Sequence, residues 1–259
     1  MRRVARTAAA AVCTLSVLTL AACGSEGGDT ATDAKKGGAA SSAAPAEKEP
    51  FADMSGPDIV SAAFKNIHKA TSLRLSVDMR STDAPLKADF STTVDGARCT
   101  GTTDMGAGGS MSIIKIAETV YMKLDETMLR AQSEGESEAD IQATVDMVAD
   151  HWMAEKASDP DTKDMIGFCD LKSLLSEFEE GDTEAKKAGT TTFDGTPALR
   201  LTEKDGEETY SVLVSTKGDP QLLQITTTGG DEPMTMTFSD LDKPVVAEKP
   251  AAKDMVDLG

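Results

Sequence analysis

Apolar residues in the first half of the chain are spaced first like a helix and then like strands. From Val60 to Ile67 they recur at intervals of three and four residues, the period of an amphipathic helix. Ser55-Gly-Pro-Asp58 precedes this segment, and a serine with an acid three residues later and a proline in the first turn is typical of a helix N-terminus. We therefore predict a helix that begins just after Ser55.

Strict alternation of apolar and polar residues follows, over Leu73–Met79 and again over Leu86–Val94. Alternation predicts strands with one apolar and one solvated face. Similar patterns run through Cys99, over Met111–Ile116 and over 120–124, and Asp95-Gly96 supplies a hairpin turn. These segments predict an antiparallel meander.

Helical spacing returns in the middle of the chain. A capping box at Ser137–Asp140 precedes apolar residues that keep helical spacing as far as Trp152, and Asp170 precedes a similar run to Phe178. The polar, proline-bearing segment 156–163 between them predicts a loop.

Strand patterns then resume in the last quarter of the chain. They cover residues 190–193, 198–202, 209–214, 222–226 and 233–238, with a turn signal at Asp194-Gly195. The helices must cover the apolar face of these strands. The pattern therefore predicts an α+β domain, with a cavity inside it if the helices do not fill the curve of the sheet.

The N-terminus combines Arg2, Arg3 and Arg6 with a short apolar run that ends in Leu20-Ala21-Ala22-Cys23. This arrangement is typical of a secretory signal peptide, and Leu-Ala-Ala-Cys resembles the bacterial lipobox. We expect residues 1–22 to be a lipoprotein signal peptide. Residues 23–50 are then a lipidated Cys23 with a disordered tether, and 51–259 are a single domain.

Acidic residues dominate the charge. The chain has 26 Lys+Arg, 44 Asp+Glu and a net charge of -18, and loss of the three arginines in residues 1–22 makes it -21. Nucleic acid binding depends on basic residues that neutralise phosphates, so this balance excludes it as a function class. It also leaves membrane attachment to the lipid anchor.

Cys99 and Cys169 are the cysteines left once the signal peptide and the acylated cysteine are set aside. In an oxidising compartment they most simply form one disulfide. A reactive or metal-binding pair is the alternative, but neither residue has a histidine or a second cysteine near it in the sequence.

Catalytic and metal-binding patterns are missing from the sequence. The two histidines, His68 and His151, have no set of further ligands nearby, and the run Gly106–Gly109 lacks the lysine of a phosphate-binding loop. We therefore expect no enzyme activity, no metal and no cofactor. Thirteen methionines indicate either ordinary core packing or a deformable apolar lining.

Several local stretches resemble the LppX/LprG-type envelope lipoproteins of actinobacteria. They are Thr192–Leu199, Phe238-Ser239-Asp240, Lys243–Val246 and the ending Asp254–Leu258. The family has the fold of the lipoprotein carrier LolA, and the resemblance covers roughly residues 51–258. It implies an antiparallel half-barrel sheet wrapped over amphipathic helices, enclosing an apolar cavity that holds acylated lipids in some members. The cysteine pair and the acidic insert 131–165 depart from the family pattern.

We therefore expect a monomeric lipoprotein held by an N-terminal diacylglyceryl and palmitate anchor at the extracytoplasmic face of the cell membrane. It is expected to bind or transfer a hydrophobic ligand, an acylated lipid. The alternative is an envelope interaction or sensory lipoprotein with a filled core and no ligand. The residues expected to line the cavity come from both sheet and helices: Val60, Phe64, Leu75, Val77, Phe90, Met122, Leu174, Val212 and Met236.

Overall fold

The computed structural model describes residues 49–81, 85–133, 135–179 and 184–256. The predicted signal peptide, Cys23 and nearly all of the predicted tether lie outside these residues. The helices are α1 (Gly56–Ile67), α2 (Glu126–Gln132), α3 (Glu138–Val148), α4 (Pro160–Met165) and α5 (Leu171–Glu179). The strands are β1 (Ser72–Met79), β2 (Leu86–Thr93), β3 (Arg98–Asp104), β4 (Ser110–Ile116), β5 (Thr119–Leu124), β6 (Met153–Lys156), β7 (Lys186–Phe193), β8 (Thr196–Asp205), β9 (Glu208–Ser215), β10 (Gln221–Thr228) and β11 (Met234–Ser239).

All of these strands belong to one antiparallel sheet. Its order is β6-β5-β4-β3-β2-β1-β11-β10-β9-β8-β7, so each meander pairs strands that follow each other in the chain. The pairing of β1 with β11 joins the two meanders. Because β6 and β7 stay at opposite edges, the sheet is open. This is the predicted α+β class, an open antiparallel sheet packed against a few helices.

The two faces of the sheet differ as the alternation predicts. Leu75 is fully buried on the face that carries the helices, and its neighbours across the strands are Phe90 and Phe238. On the other face, Arg74 of β1 donates two hydrogen bonds to Asp89 of β2, at 2.9 and 2.8 Å. The first face forms the core and the second is solvated.

Helix α1 forms as predicted. The Ser55 hydroxyl accepts a hydrogen bond from the Asp58 backbone N–H, and the Asp58 carboxylate accepts one from the Ser55 N–H, which completes a capping box. The helix buries its apolar stripe against the half of the sheet that contains β9 and β10. In the other half of the sheet, helix α2 contacts β4 and in turn packs against α3.

Turn chemistry fixes the hairpin between β7 and β8. Asp194 and Gly195 both have positive φ, 45° and 77°, the conformation of a two-residue type I′ turn. A β-branched residue at either position would be strained there. The Asp-Gly pair was therefore a reliable hairpin signal.

The middle of the chain contains three corrections to the sequence prediction. Helix α3 ends at Val148 and not at Trp152, because Ala149 is extended and Asp150 has a φ of 59°. The predicted loop 156–163 overlaps the end of β6 and the beginning of α4. Helix α2 was not predicted at all, since its seven residues follow β5 without a break and are too few to show a clear period.

The C-terminal segment crosses the first meander. Arg98 on β3 donates a 2.6 Å hydrogen bond to the Ala247 carbonyl, and the Trp152 N–H donates one of 2.8 Å to the Asp254 carbonyl. Trp152 also lies against Lys123, whose Nζ is 5.4 Å from the ring centroid. Trp152 therefore anchors the segment beside the edge strand β6, which explains why it does not continue α3.

Candidate functional site: an apolar groove between sheet and helices

A groove lies between the helices and the end of the sheet where β2 begins. Its volume is about 750 Å³, and it is not enclosed on all sides. Its apolar lining comes from four methionines and three other residues: Met105, Met111, Met128, Met165, Leu86, Phe168 and Leu174. Pockets of this size and character are typical of small-molecule and cofactor sites.

The sheet forms the floor of the groove. Thr103 on β3 pairs with Met111 on β4 and with Ala88 on β2, so all three lie in one row across the strands. Met111 and Thr103 are buried. The floor is therefore a continuation of the apolar core face and not a separate surface.

Helix α2 forms one wall, and Asp125 fixes where it begins. The Asp125 carboxylate accepts hydrogen bonds from the Met128 N–H at 2.8 Å and from the Ser110 N–H and hydroxyl at 2.8 and 2.7 Å. Burial raises the pKa of Asp125, but these hydrogen bonds outweigh burial and hold the pKa below its usual value. A Cβ on Gly109 would lie 2.3 Å from the Met128 nitrogen, so the β4 end of the sheet and α2 touch through backbone.

Asp125→Ala is expected to destabilise the folded protein by about 1–2 kcal/mol, the usual cost of losing an N-cap. Because the folded-state pKa is depressed, this stabilisation is present above the unfolded-state pKa of about 3.9 and is lost as the pH falls through the folded-state value. Urea unfolding at pH 7 and pH 3 measures both effects. Ser137→Ala is the matched control, since Ser137 caps α3 away from the groove. If Asp125→Ala lowered the free energy of unfolding by the same amount at pH 7 and at pH 3, the stabilising role of the ionised Asp125 carboxylate would be contradicted.

A turn before α5 forms the opposite wall. It contains Gly167 and Phe168, and it ends at Cys169, which forms a disulfide with Cys99 on β3. The Cα atoms of the two cysteines are 5.6 Å apart, and both residues are buried. The Thr92 hydroxyl also donates a hydrogen bond to the Cys169 carbonyl at 3.3 Å. This wall is thus held covalently to the sheet.

Phe168 connects the groove to the core. Its ring stacks on that of Phe90, with centroids 5.5 Å apart. Phe90 faces Gly101 on the neighbouring strand, where a Cβ would lie 2.4 Å from the Phe90 ring. Glycine at 101 leaves space for the Phe90 ring, and the Phe90 ring in turn supports the wall.

Polar residues stand around the apolar lining. Asp161 and Asp164 of α4 and Gln132 at the end of α2 are exposed and line the groove. Ser173 also lines it, but its hydroxyl donates a 2.7 Å hydrogen bond to the Asp170 carboxylate, which caps α5. The groove thus joins an apolar interior to an acidic rim.

The sequence-predicted cavity residues lie mostly in the packed core. Leu174 lines the groove, and Phe90 supports it through Phe168. The remaining seven residues pack within or against the hydrophobic core: Val60, Phe64, Leu75, Val77, Met122, Val212 and Met236. The structure brings all nine into one apolar layer, and their contact with a ligand stays a prediction.

Several groove residues were not predicted as lining. The sequence points to Met105, Met111, Met128 and Met165 only through the excess of thirteen methionines to which they belong. That excess was the available signal, because four of the methionines line one groove. Alternation alone could not separate them from core residues.

Among residues 49–256, with the gaps stated above, no three or more His, Cys, Asp or Glu side chains are grouped to hold a metal ion. Within the same residues, no helix has the length and apolar character needed to cross a membrane.

Comparison with known proteins identifies the fold. LprF from Mycobacterium bovis aligns with a TM-score of 0.52 and 11% identity, over 76% of this chain and 97% of LprF. The chain shares the fold of LprF. Lipoprotein LppX from Mycobacterium tuberculosis also aligns, with a TM-score of 0.49 and 13% identity over 74% of this chain and 97% of LppX. The resemblance drawn from the sequence is therefore confirmed for the fold. No protein-family model and no curated protein matches the chain.

Proposed function

We propose that the protein is a membrane-anchored extracytoplasmic lipoprotein that binds or transfers a hydrophobic ligand, an acylated lipid, in the groove. The observation that supports this most is the groove itself: about 750 Å³, with an apolar lining that includes four methionines. Pockets of about 300–1,000 Å³ with a mostly apolar lining are the usual sites for small organic ligands. The fold shared with LprF supports the proposal, since the lipoprotein resemblance had implied a lipid cavity.

The methionines suit a flexible acyl chain. Methionine is unbranched, has three rotatable bonds and has a polarisable sulfur, so it adapts its shape to the ligand. Met111 and Met128 are buried, whereas Met105 is 37% exposed at the groove. A lining with both a buried and an exposed end offers a path by which an acyl chain of the ligand enters and leaves the groove.

The anchor part of the proposal depends on Cys23 and the lipobox. Cys23→Ala is expected to move the protein from the membrane fraction to the soluble fraction, because a chain with 26 Lys+Arg against 44 Asp+Glu has no excess of positive charge to replace the acyl anchor. Fractionation of host cells followed by immunoblotting measures this. Circular dichroism of the variant serves as the folding control. A Cys23→Ala protein that stays on membranes after a salt wash would contradict the lipobox assignment.

A second candidate function is favoured by one observation. Leu75 and Phe90 are fully buried, and Met236 is 1% exposed, so the central part of the predicted cavity is filled. An envelope interaction or sensory lipoprotein would need no more than such a core. The two candidates differ in whether lipid raises Tm, since a ligand that binds only the folded state stabilises it by mass action.

Gly167→Trp tests the groove directly. No atom outside its chain neighbours lies within 4 Å of a Cβ built on Gly167, and its backbone is outside the region that favours glycine. A tryptophan there is expected to project into the groove, leave folding intact and abolish binding of a neutral fluorescent probe such as N-phenyl-1-naphthylamine.

Ala143→Trp is the matched control, because Ala143 is exposed on α3 and does not line the groove. Its probe affinity is expected to equal that of the wild type. Equal probe binding by Gly167→Trp and Ala143→Trp would place the ligand elsewhere. The absence of lipid-induced stabilisation in the wild type would favour the interaction protein.

A further inference from the structure

The rim of the groove carries two acidic side chains that pair with no residue of the described ranges. Asp161 and Asp164 lie three residues apart on α4, so they are neighbours on one side of the helix. Both are exposed, both line the groove, and neither makes an ion pair or a side-chain hydrogen bond within the described part of the chain. Among the described residues, neither Lys163 between them nor any other Lys or Arg lines the groove.

A second polar group lies within the groove. Thr103 is only 5% exposed, yet its hydroxyl forms no hydrogen bond with any described residue. Every fully buried side-chain oxygen or nitrogen in the described ranges has a partner, so the Thr103 hydroxyl keeps access to the groove. A wholly apolar ligand would cover this hydroxyl without a hydrogen bond, which is unfavourable.

These observations restrict the polar part of a ligand. Carboxylates attract an ammonium group and repel a phosphate or carboxylate. The net charge of -18 adds to the repulsion of anions at long range. Thr103 in turn favours a ligand that carries a hydrogen-bonding linkage, such as an amide or ester, along its apolar chain.

We propose that the groove selects an amphiphile with an ammonium head group, an inference that rests on the proposed function. The head lies at Asp161 and Asp164, the acyl chain lies along the methionines, and a hydrogen-bonding linkage lies beside Thr103. The ligand class is thus an aminolipid, and anionic phospholipids are disfavoured.

The test compares probes with the same twelve-carbon chain, no carbonyl linkage and different head groups: dodecylamine, 1-dodecanol and dodecyl phosphate. Each displaces N-phenyl-1-naphthylamine from the full chain carrying Cys23→Ala, below its micelle concentration or solubility limit and at low salt. Two exposed ion pairs predict that dodecylamine binds about three- to tenfold more tightly than 1-dodecanol. Dodecyl phosphate is expected to bind most weakly.

Charge-removing variants show whether the rim causes the preference. Asp161→Asn/Asp164→Asn is expected to make dodecylamine and 1-dodecanol bind equally and to strengthen dodecyl phosphate binding. Asp205→Asn/Glu207→Gln removes the same charge from the exposed hairpin between β8 and β9 and is expected to keep the preference. Equal effects of the two variants would overturn the proposal, because net charge alone would then explain selection.

Thr103→Val tests the linkage. The substitution keeps the shape and removes the hydroxyl, so N-dodecanoyl-ethylenediamine is expected to bind about threefold to tenfold more weakly, the scale of one hydrogen bond. Dodecylamine, which has no linkage, is expected to bind Thr103→Val at least as tightly as the wild type, because its chain no longer covers an unpaired hydroxyl. Unchanged binding of the amide probe would overturn the role of Thr103.

The outcomes separate this proposal from the one it rests on. If no probe of any charge binds, the proposed function itself fails. If 1-dodecanol binds as tightly as dodecylamine to the wild type, the groove is a lipid site without charge selection, and only the further inference fails.

Discussion

Replacing Cys99 and Cys169 together with alanine is expected to lower the free energy of unfolding by about 4 kcal/mol. The two cysteines are separated by 70 positions in the sequence, and a cross-link over a loop of this length restricts the unfolded chain strongly. At about 2–4 °C per kcal/mol for a domain of this size, Tm is expected to fall by roughly 8–16 °C.

Urea unfolding of the two proteins measures the effect. The wild type, unfolded and refolded in the presence of a reductant, is the control, because it keeps both side chains and loses only the covalent bond. Equal unfolding midpoints for the oxidised and the reduced wild type would contradict the prediction.

The disulfide also has a local consequence for the groove. Cys169 follows Phe168 directly, so the bond to Cys99 holds the Phe168 wall against β3. At a temperature where the double alanine variant is still folded, we expect weaker binding of N-phenyl-1-naphthylamine, since the wall is no longer preorganised. The disulfide therefore contributes to both stability and the site.

Phe90→Ala is the second substitution for which we expect a large loss in the free energy of unfolding. Phe90 is fully buried, and truncating a buried phenylalanine costs about 3–5 kcal/mol. Phe90 also supports Phe168, with 5.5 Å between the ring centroids. The variant is expected to lose stability and to bind the probe differently, because the cavity it leaves extends the groove.

Phe238→Ala provides a matched control for this prediction. Phe90 and Phe238 are the two cross-strand neighbours of Leu75, one on each side, and their exposures are 0% and 2%. Both truncations are expected to cost similar stability, but only Phe90→Ala should change probe affinity. Unfolding curves and probe titrations below the transition of each variant distinguish the effects. If Phe90→Ala and Phe238→Ala changed probe affinity by the same amount, the support that Phe90 gives the groove wall through Phe168 would be contradicted.

The strands and the first helix could be predicted because each is specified by local pattern. Leu73–Met79 alternates without a break and forms β1, and Ser55 caps α1 with the partner that its spacing predicts. Asp194-Gly195 adopts the turn that its sequence favours. Local sequence and overall fold agree at these positions.

The position of the groove could not be predicted in the same way. Alternation tells which face of a strand is apolar. It does not distinguish Leu75 on β1, which is packed in the core, from Met111 on β4, which lines the groove. The difference depends on where α2, α4 and the turn at Phe168 meet the sheet. Two of these elements were missed, because α2 and α4 have only seven and six residues.

Trp152 shows a second limit of periodicity. It falls at helical spacing after Val148, yet it pairs with the C-terminal segment more than 100 positions later in the chain. A tertiary contact of this kind leaves no trace in the local pattern. The helical spacing of Trp152 was therefore fortuitous.

Native mass spectrometry tests the central claim most directly. The full chain carrying Cys23→Ala would be produced in a lipid-rich actinobacterial host, purified without detergent and compared with the same protein carrying Gly167→Trp. We predict that the first protein retains an extra mass that extracts into organic solvent as a lipid and that the second does not. A clean apo mass for the first protein, unchanged after incubation with envelope lipids, would contradict the lipid-binding account.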